Sequence, residues 1–323
     1  MLSILRIKGE TDTLSKIETS IIIPCYNVED YIASVVNNLQ EQTYQNFEVI
    51  FINDGSTDRT KDQIETRINN LTNYSIYTTK NRGAANARNL GIKKAVGEYI
   101  YFFDADDKID PFLLEKVLRQ IKTDGADMLI FGYYAKNTKG RIVYQGSYRD
   151  KEFLNSNETF FSFINAHFYE NNLLSPWNKL YRRQFLKEKG LYFPPVSSSE
   201  DALFNLELFN HVQKVSISDE ILYEYTVGRK GSLQNDQSNK KFKEDYEVCV
   251  KLKKLASKKN LDESIYYSYL INIIYKYFNK DLVSLINERT ELREIVEKKV
   301  MVNLSPKTKI KLYILKMKWK CYK

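Results

Sequence analysis

The sequence contains few histidines and cysteines. The 323 residues include only His167 and His211, together with three scattered cysteines, Cys25, Cys249 and Cys321. No pair among them has the spacing of zinc ligands, so a structural zinc site is not expected. The three cysteines also give no disulfide framework, which fits a reducing compartment.

Long apolar segments are missing as well. No stretch reaches the roughly 18 apolar residues of a membrane-spanning helix. Residues 1–20 carry charges throughout and lack the apolar core of a signal peptide. With only 12 glycines, the composition also excludes fibrous and low-complexity proteins. The 43% of hydrophobic and 28% of charged residues suffice for a large core in one or two domains.

The positive charge is concentrated in residues 307–323, which hold seven lysines and no acid, whereas the whole chain has a formal net charge of +8. A basic excess confined to one tail argues against a nucleic-acid groove, and nucleic acid is not an expected partner. On a helical wheel the tail has two apolar stripes with lysines between them. One stripe consists of Ile310, Tyr313, Ile314, Met317 and Cys321. The other consists of Leu312, Leu315, Trp319 and Tyr322. We expect one stripe to pack on the protein and the other to contact an anionic membrane surface. The alternative is a solvated helix packed on one side only.

Strand-like and helix-like segments alternate along the chain. Apolar runs predict strands at 19–24, 47–52, 74–77, 98–103, 128–133, 141–148 and 221–225. Helical spacing is found at 28–40, 84–96, 113–121, 158–168 and 200–209, and between a cap at 56–58 and residue 68. The alternation predicts an α/β fold with a mostly parallel, Rossmann-like central sheet flanked by helices. From about residue 240 the pattern becomes helical.

Polar clusters follow three of the predicted strands, at Pro24–Asn27, Asn53–Ser56 and Asp104–Asp107. Ligands bind at the carboxyl ends of the strands in sheets of this kind. The third cluster, Asp-Ala-Asp-Asp, repels itself unless a cation neutralises it, and carboxylate oxygens suit Mg²⁺ or Mn²⁺. A solvated acidic turn before Pro111 is the alternative. The convergence of three clusters at strand ends favours the metal.

Six motifs together resemble the family 2 glycosyltransferases. In chain order they are Ser20–Glu29, Asn53–Asp58, Asn81–Asn89, Asp104–Asp107, Pro176–Tyr181 and Ser199–Phe204. Several ordered motifs across residues 19–235 are a strong signal, whereas one alone would be weak. The resemblance implies a GT-A fold, a nucleotide-sugar donor, a divalent metal and inversion at the anomeric carbon. The stretch Trp177–Tyr181 most resembles bacterial enzymes that build capsules, exopolysaccharides and wall polymers.

We expect three regions, with the second boundary near residues 235–240, where Gln, Asn, Ser and Asp cluster. Residues 1–18 form an N-terminal extension and residues 19–236 a GT-A nucleotide-sugar transferase domain. Residues 237–323 form a helical region that ends in the basic amphipathic tail.

On the donor side, Tyr26 offers a flat face for a nucleobase next to Pro24, and Asn27 and Glu29 supply polar edges. Asp54 is expected to accept a hydrogen bond from a uracil N–H or a ribose hydroxyl.

Asn81, Arg82 and Gly83 precede a helix whose free N–H groups attract anions. Arg88, one turn into that helix, is expected to reach the diphosphate or the Asp104 cluster. The alternative is a surface helix with charged residues on it.

By the family pattern Asp104 bonds the ribose, and Asp104 and Asp106, on either side of Ala105, are the metal-site residues. Glu200 and Asp201 form the second carboxylate centre, in which Asp201 would be the general base that accepts the acceptor hydroxyl's proton. The alternative is a helix N-cap with acids in the first turn, a position that lowers a carboxylate's pKa.

Trp177 is expected to form a wall for a sugar ring or to pack in the core, and Lys179 to meet phosphate or acceptor. Many relatives carry an arginine where this sequence has Thr226; Arg229 is the candidate substitute.

The leading hypothesis is metal-dependent, inverting transfer from a UDP-hexose or UDP-N-acetylhexosamine to a carbohydrate or lipid-linked acceptor in bacterial surface polysaccharide synthesis. The enzyme would lie in the cytoplasm, peripheral at the inner face of the cell membrane, and a homo-oligomer is possible. A catalytically silent nucleotide-sugar-binding subunit is the alternative, which Asp104, Asp106 and Asp201 disfavour because all three are present. The chain has no Gly-x-Gly-x-x-Gly after its first predicted strand and no phosphate-binding loop of the ATPase type, which sets dehydrogenase and ATPase functions aside.

Overall fold

The structure is a computed structural model that describes residues 4–5, 16–68, 71–169, 171–228, 238–279, 282–283, 286, 289–297 and 303–322. The chain divides into two compact units. The first comprises Met1–Phe160 and Tyr169–Lys230, and the second comprises Phe161–Phe168 and Gly231–Lys323.

The first unit is built on one sheet, which has eleven strands within the described residues. They are β1 (Ile4–Leu5), β2 (Thr19–Cys25), β3 (Phe47–Asn53), β4 (Tyr74–Thr78), β5 (Tyr99–Phe102), β6 (Lys108–Ile109), β7 (Met128–Asn137), β8 (Ile142–Gly146), β9 (Glu152–Leu154), β10 (Lys179–Arg182) and β11 (Val215–Val227). The main order is β1-β4-β3-β2-β5-β10-β7-β11-β6, with β8 on β7 and β9 on β11. β4, β3, β2 and β5 are parallel neighbours, whereas β10 lies antiparallel between β5 and β7. The α/β architecture is therefore confirmed: four neighbouring strands are parallel, β1 is antiparallel at their edge, and the rest of the sheet is mixed.

The described helices of this unit are α1 (Ile32–Gln40), α2 (Thr60–Arg67), α3 (Ala84–Lys94), α4 (Leu113–Asp124), α6 (Arg183–Glu188) and α7 (Glu200–Phe209); α5 (Asn157–His167) begins in it and ends in the second unit. Ile21, Ile22 and Ile23 of β2 are completely buried. A continuous apolar run suits a strand that is covered on both faces, unlike an alternating one. The apolar side chains of α1 and α4 belong to the same core cluster as Ile21 and Ile23.

Several boundaries differ from the sequence prediction. α1 begins at Ile32 rather than at residue 28, because the backbone N–H groups of Val28 and Glu29 donate to Thr60 Oγ1 (2.8 Å) and Asp58 Oδ2 (3.2 Å). α3 ends at Lys94 rather than at 96. The predicted strand 221–225 is the second half of the longer β11, and β10 and α6 were not predicted. The bounds of α7 are those predicted.

The described helices of the second unit are α8 (Asn239–Lys259), α9 (Glu263–Tyr277), α10 (Thr290–Glu297) and α11 (Pro306–Tyr322). α8 packs on α9, where the Tyr277 hydroxyl donates to Asp245 Oδ2 at 2.7 Å. α11 packs on α9 and α10. Among the described residues, no helix combines the length and the apolar character needed to cross a membrane.

The predicted boundaries near residues 18 and 236 stay predictions. Of the predicted extension 1–18, Ile4–Leu5 adds an antiparallel strand to the edge of β4. Residues 229–237, which include Arg229 and the second boundary, lie outside the described residues.

Candidate active site

The loops that follow β2 and β3 are tied together by the side chains predicted to bind a nucleotide. Asn27, in a left-handed conformation with φ of 51°, accepts the Thr57 N–H at 2.9 Å. Glu29 Oε2 accepts the Arg59 N–H at 2.8 Å. Pro24 lies half-buried near the end of β2, and the Tyr26 side chain is exposed. The ring of Tyr26 is therefore accessible for stacking, while Asn27 and Glu29 join its loop to the loop after β3.

Asp54 organises the next loop. Its carboxylate accepts from the Thr79 hydroxyl (2.8 Å) and from the backbone N–H groups of Arg82 (3.1 Å) and Gly83 (2.7 Å). Asp54 is buried, so the structure shows it shaping the Asn81–Gly83 segment, and the predicted nucleobase contact stays a prediction.

The loop after β3 requires glycine at position 55, for two reasons. Its φ is +70°, and a Cβ there would lie 2.6 Å from the backbone nitrogen of Asn81. The backbone of Asn81 therefore approaches Gly55 too closely for a side chain at this position.

Arg88 connects three carboxylates. One of its terminal nitrogens donates to Asp201 Oδ1 (2.8 Å) and Glu200 Oε1 (3.1 Å), and the other donates to Asp104 Oδ1 (2.9 Å). The guanidinium is buried and lies 5.3 Å from the centroid of the Phe193 ring. The predicted contact of Arg88 with the Asp104 cluster is confirmed, and the surface-helix alternative is wrong.

Glu200 and Asp201 open α7, but Ser199 makes no side-chain capping hydrogen bond to that helix. The predicted position of these acids in the first turn of a helix that follows Ser199 is therefore confirmed, without a capping hydrogen bond from the Ser199 side chain. The Asn205 amide donates to the Asp201 carbonyl at 3.1 Å and to the Leu174 carbonyl at 3.0 Å, which fixes this turn to the preceding chain. The Tyr181 hydroxyl in turn donates to Asn205 Oδ1 at 3.0 Å.

The pKa of Asp201 is raised to about 8. Burial is the largest cause, and the negative charges of Glu200 and Asp104 act in the same direction, while Arg88 opposes them. Three carboxylates share one guanidinium, so one acid is favoured to hold a proton. The lower pKa expected for an acid at a helix N-terminus is therefore wrong here.

Burial would lower the pKa of Arg88, but Asp201, Asp104 and Glu200 more than offset it, so the net shift is upward and the guanidinium stays charged.

The acidic loop after β5 is held in place by hydrogen bonds from β11. Asp107 is buried and accepts from the Tyr223 hydroxyl (2.7 Å) and the Thr226 N–H (2.8 Å). The Thr226 hydroxyl donates to the carbonyl of half-buried Asp106 at 3.2 Å. Burial, followed by the charges of Asp106 and Asp104, raises the pKa of Asp107 well above its usual value. Thr226 thus supports the acidic loop through its backbone N–H and its hydroxyl.

Two sequence interpretations change. Trp177 is 3% exposed, and its ring stacks on Tyr223 (4.5 Å between centroids) and Tyr225 (5.4 Å). Its faces are covered by these rings, so the structure assigns it to the core and not to a sugar-binding wall. Lys179 is completely buried and donates to the Ser175 carbonyl and to Asn178 Oδ1, so its amine is held inside the protein.

The profile described as "Glycosyl transferase family 2" matches residues 20–190. These residues contain β2, β3, β5 and the Arg88–Asp104 pair. The chain is a family 2 glycosyltransferase.

Curated relatives of this chain include two proteins that are named as glycosyltransferases. It is 31% identical over 208 residues to "Uncharacterized glycosyltransferase EpsJ" of Bacillus subtilis, an alignment that covers 64% of this chain and 60% of EpsJ. It is 31% identical over 220 residues to the poly(ribitol-phosphate) beta-N-acetylglucosaminyltransferase TarS of Staphylococcus aureus, covering 66% of this chain and 36% of TarS. The glycosyltransferase thus spans 60% or less of the length of these two relatives.

Solved structures show the same GT-A fold. The structure of S. aureus TarS 1-349 with UDP-GlcNAc matches with a TM-score of 0.61 and 25% identity, covering 86% of this chain and 78% of that one. A mannosyltransferase of Pyrobaculum calidifontis with GDP-Man and Mn²⁺ matches with a TM-score of 0.57 and 12% identity, covering 99% and 91%. The second likeness shows the fold alone.

The carboxylate oxygens available in this glycosyltransferase fit a divalent cation that a substrate phosphate also binds. In the described residues, no group of three or more His, Cys, Asp and Glu side chains could enclose a metal by itself. Mg²⁺-type sites use one or two carboxylates completed by water and substrate phosphates. Asp104 and Asp106, both half-buried at the end of β5, provide such a pair.

Two supporting residues were missed by the sequence reasoning. Phe193 lies against Arg88, and Asn89, next to Arg88 on α3, exchanges two hydrogen bonds of 2.8 Å with the Phe193 backbone. Asn89 belongs to the motif Asn81–Asn89, so its polar side chain next to a buried arginine was the available signal. Phe193 carried no signal, because it is 104 residues from Asn89 in the chain.

Proposed function

We propose that this glycosyltransferase moves a hexose or N-acetylhexosamine from its UDP-linked donor to a carbohydrate or lipid-linked acceptor of a bacterial surface polymer, with inversion. The observation that carries the proposal is the Arg88 cluster, which joins Asp201 and Glu200 of α7 to Asp104 at the end of β5. The candidate base and the candidate donor site are thereby in one cluster. TarS, which is named as acting on poly(ribitol-phosphate) and was solved with UDP-GlcNAc, supports this donor and acceptor class.

In this proposal the chain's residues have separate tasks. Tyr26 stacks on the uracil, and Arg82 and the N-terminus of α3 attract the diphosphate. Asp201, with a side chain 30% exposed, accepts the proton of the attacking acceptor hydroxyl as the new glycosidic bond forms and the bond to UDP breaks. Arg88 holds Asp201 in place, and the hydroxyl attacks opposite the leaving group, which gives inversion.

Asp106 and Asp104 would hold Mn²⁺ or Mg²⁺ together with the donor diphosphate. When bound, the ion supplies Lewis-acid stabilisation of the negative charge on the departing nucleoside diphosphate. Asp107, Tyr223 and Thr226 keep the loop of these ligands fixed.

We place the enzyme in the cytoplasm, peripheral at the inner face of the cell membrane, where the basic C-terminal tail would contact lipid. Nucleic acid is not a proposed partner. A homo-oligomer stays a prediction. The silent binding subunit has no structural observation in its favour, because Asp104, Asp106 and Asp201 are all in place.

A donor panel tests the function. Purified protein is incubated with UDP-glucose, UDP-galactose, UDP-GlcNAc and GDP-mannose, with Mn²⁺ or with EDTA, and nucleoside diphosphate release is measured. We expect release of UDP from one UDP-sugar. The release should be slow because water replaces the acceptor inefficiently, and it should need the metal because the ion stabilises the departing UDP. Thermal shift with each donor is measured in parallel. Metal-independent binding of a donor without any turnover would support the silent subunit instead.

The pH dependence of kcat/KM tests Asp201 as the base. Because the base must be deprotonated and its pKa is about 8, we expect activity to rise roughly tenfold per pH unit below that value and to level off above it. Glu200→Gln removes a charge that raises this pKa, so its inflection should move to lower pH. A profile that falls with rising pH, or an inflection unchanged in Glu200→Gln, would contradict the assignment.

A further inference from the structure

The C-terminal helix α11 is fixed to the second unit by one face. Leu315 and Trp319, four residues apart, are buried where α11 packs on α9 and α10. Lys311 Nζ donates to Asn272 Oδ1 of α9 at 2.6 Å, and Lys318 Nζ lies 5.5 Å from the centroid of the Tyr275 ring. These contacts set the rotation of α11 about its axis, so its opposite face is defined.

That opposite face is apolar and exposed. Ile310, Tyr313 and Met317 are 61%, 66% and 51% exposed. Ile314 is half-buried beside them and Cys321 is exposed. At about 100° per residue these five side chains lie within an arc of about 100°. We call them the apolar ridge. A helix that only packs on the protein would carry polar residues there, so the solvated-helix alternative does not account for this face.

Lysines border the apolar ridge on both sides. At 100° per residue, Lys307, Lys311 and Lys318 fall on one side and Lys309, Lys316 and Lys320 on the other. α11 contains no acidic residue. An apolar strip between two rows of positive charge is the arrangement of a helix that lies in the plane of a membrane interface.

We propose that the apolar ridge is a docking surface for an anionic lipid bilayer. The ridge enters the boundary between headgroups and acyl chains, and Lys309 and Lys320, which are exposed beside it, contact lipid phosphates. The ridge is a convex row on a helix, which suits a deformable bilayer better than a rigid partner. Its charge is complementary to anionic lipids. This surface extends the proposed function by naming how the enzyme meets the membrane, and it does not depend on sugar transfer.

Vesicle binding of the full chain tests the proposal. An environment-sensitive fluorophore is attached at Cys321, which is exposed, whereas the other two cysteines, Cys25 and Cys249, are buried. Vesicles contain phosphatidylglycerol and phosphatidylcholine in equal parts, or phosphatidylcholine alone. We expect a blue-shifted emission only with the anionic vesicles, weakened by salt. Co-sedimentation of unlabelled protein provides a second readout.

Two variants separate the apolar and the electrostatic contributions. The vesicle partition coefficient should fall roughly a hundredfold in the triple variant Ile310→Ser/Tyr313→Ser/Met317→Ser, because three half-inserted apolar side chains are lost. Lys309→Gln/Lys320→Gln should weaken it about 25-fold at low salt, about fivefold per lysine. The matched controls lie on α8: Val250→Ser, at a side chain 37% exposed, and Lys254→Gln/Lys258→Gln. Both controls should bind like the unmodified chain.

Three outcomes would overturn the proposal. The first is partition of the ridge variant equal to that of Val250→Ser. The second is equal binding to neutral and anionic vesicles. The third is a dimer in light scattering that the ridge variant converts to a monomer without any vesicle binding, which would make the ridge a contact between two copies.

Circular dichroism and thermal unfolding verify that each variant is folded. UDP release by the variants without vesicles should be unchanged, so failure here leaves the proposed transferase function intact.

Discussion

Asp201→Asn should reduce sugar transfer by a factor of about 10² to 10⁴ and leave UDP affinity within about twofold. An amide has nearly the shape of the carboxylate and can still accept the hydrogen bond from Arg88, but it takes no proton from the acceptor hydroxyl. The loss should therefore appear in kcat. It is measured with the best donor of the panel and a saturating acceptor, and UDP affinity is measured by calorimetry.

The control for this change is Glu207→Gln on the same helix. Glu207 lies outside the Arg88 cluster, with a side chain 46% exposed, and contacts His211, so its charge is expected to be irrelevant to transfer. Thermal stability of Asp201→Asn should not fall, because one of three acids around a single guanidinium is removed. An undiminished transfer rate would remove Asp201 from the mechanism.

The features that the sequence predicts correctly are local ones. β2, β3 and β5 are apolar runs that end in polar motifs, so their positions and the edge of the sheet at which these motifs lie follow from neighbouring residues. α7 begins with two acids and ends after an apolar stretch, and its predicted bounds are those observed. The contact of Arg88 with Asp104 joins residues only 16 apart, on consecutive elements of the chain.

The features that the sequence does not predict depend on distant packing. Arg88 meets Glu200 and Asp201 across 112 and 113 residues of chain, a separation at which spacing carries no information about contact. β10 is a four-residue strand with lysine and arginine at its ends, and it forms because β5 and β7 lie on either side of it. Short strands of this kind are defined by their neighbours and only weakly by propensity.

Burial also reverses two chemical expectations. The sequence places Asp201 at a helix N-terminus, which predicts a lowered pKa, but burial beside two other acids raises the pKa to about 8. The aromatic ring of Trp177 in the motif Pro176–Tyr181 suits a sugar platform and a core equally well. Only the stacking of Tyr223 and Tyr225 on Trp177 decides for the core.

Arg88→Met should be the most destabilising single change in the site. Methionine has a similar length, but it leaves the carboxylates of Asp104, Glu200 and Asp201 close together without their shared cation. Removing one partner of a buried ion pair costs about 3–5 kcal/mol, which lowers the melting temperature by roughly 10 °C in a unit of this size. Sugar transfer should fall to background, because Asp201 loses the contact that positions it. Arg119→Met, at an exposed arginine of α4, is the matched control and should change neither property.

Two further measurements establish that charge, and not lost packing, causes the effect. The first is pH: the destabilisation should grow as the pH rises above about 8, because Asp201, whose pKa is about 8 beside Arg88, keeps its proton to higher pH in the folded variant, whose stability therefore continues to fall. The second is the double variant Arg88→Met/Asp201→Asn, which should recover part of the lost stability, since it leaves two acids in place of three. Additive losses in this double-mutant cycle, or a destabilisation that is independent of pH, would mean that Arg88 acts through the packing of its side chain on Phe193 and not as the counter-ion of the candidate base.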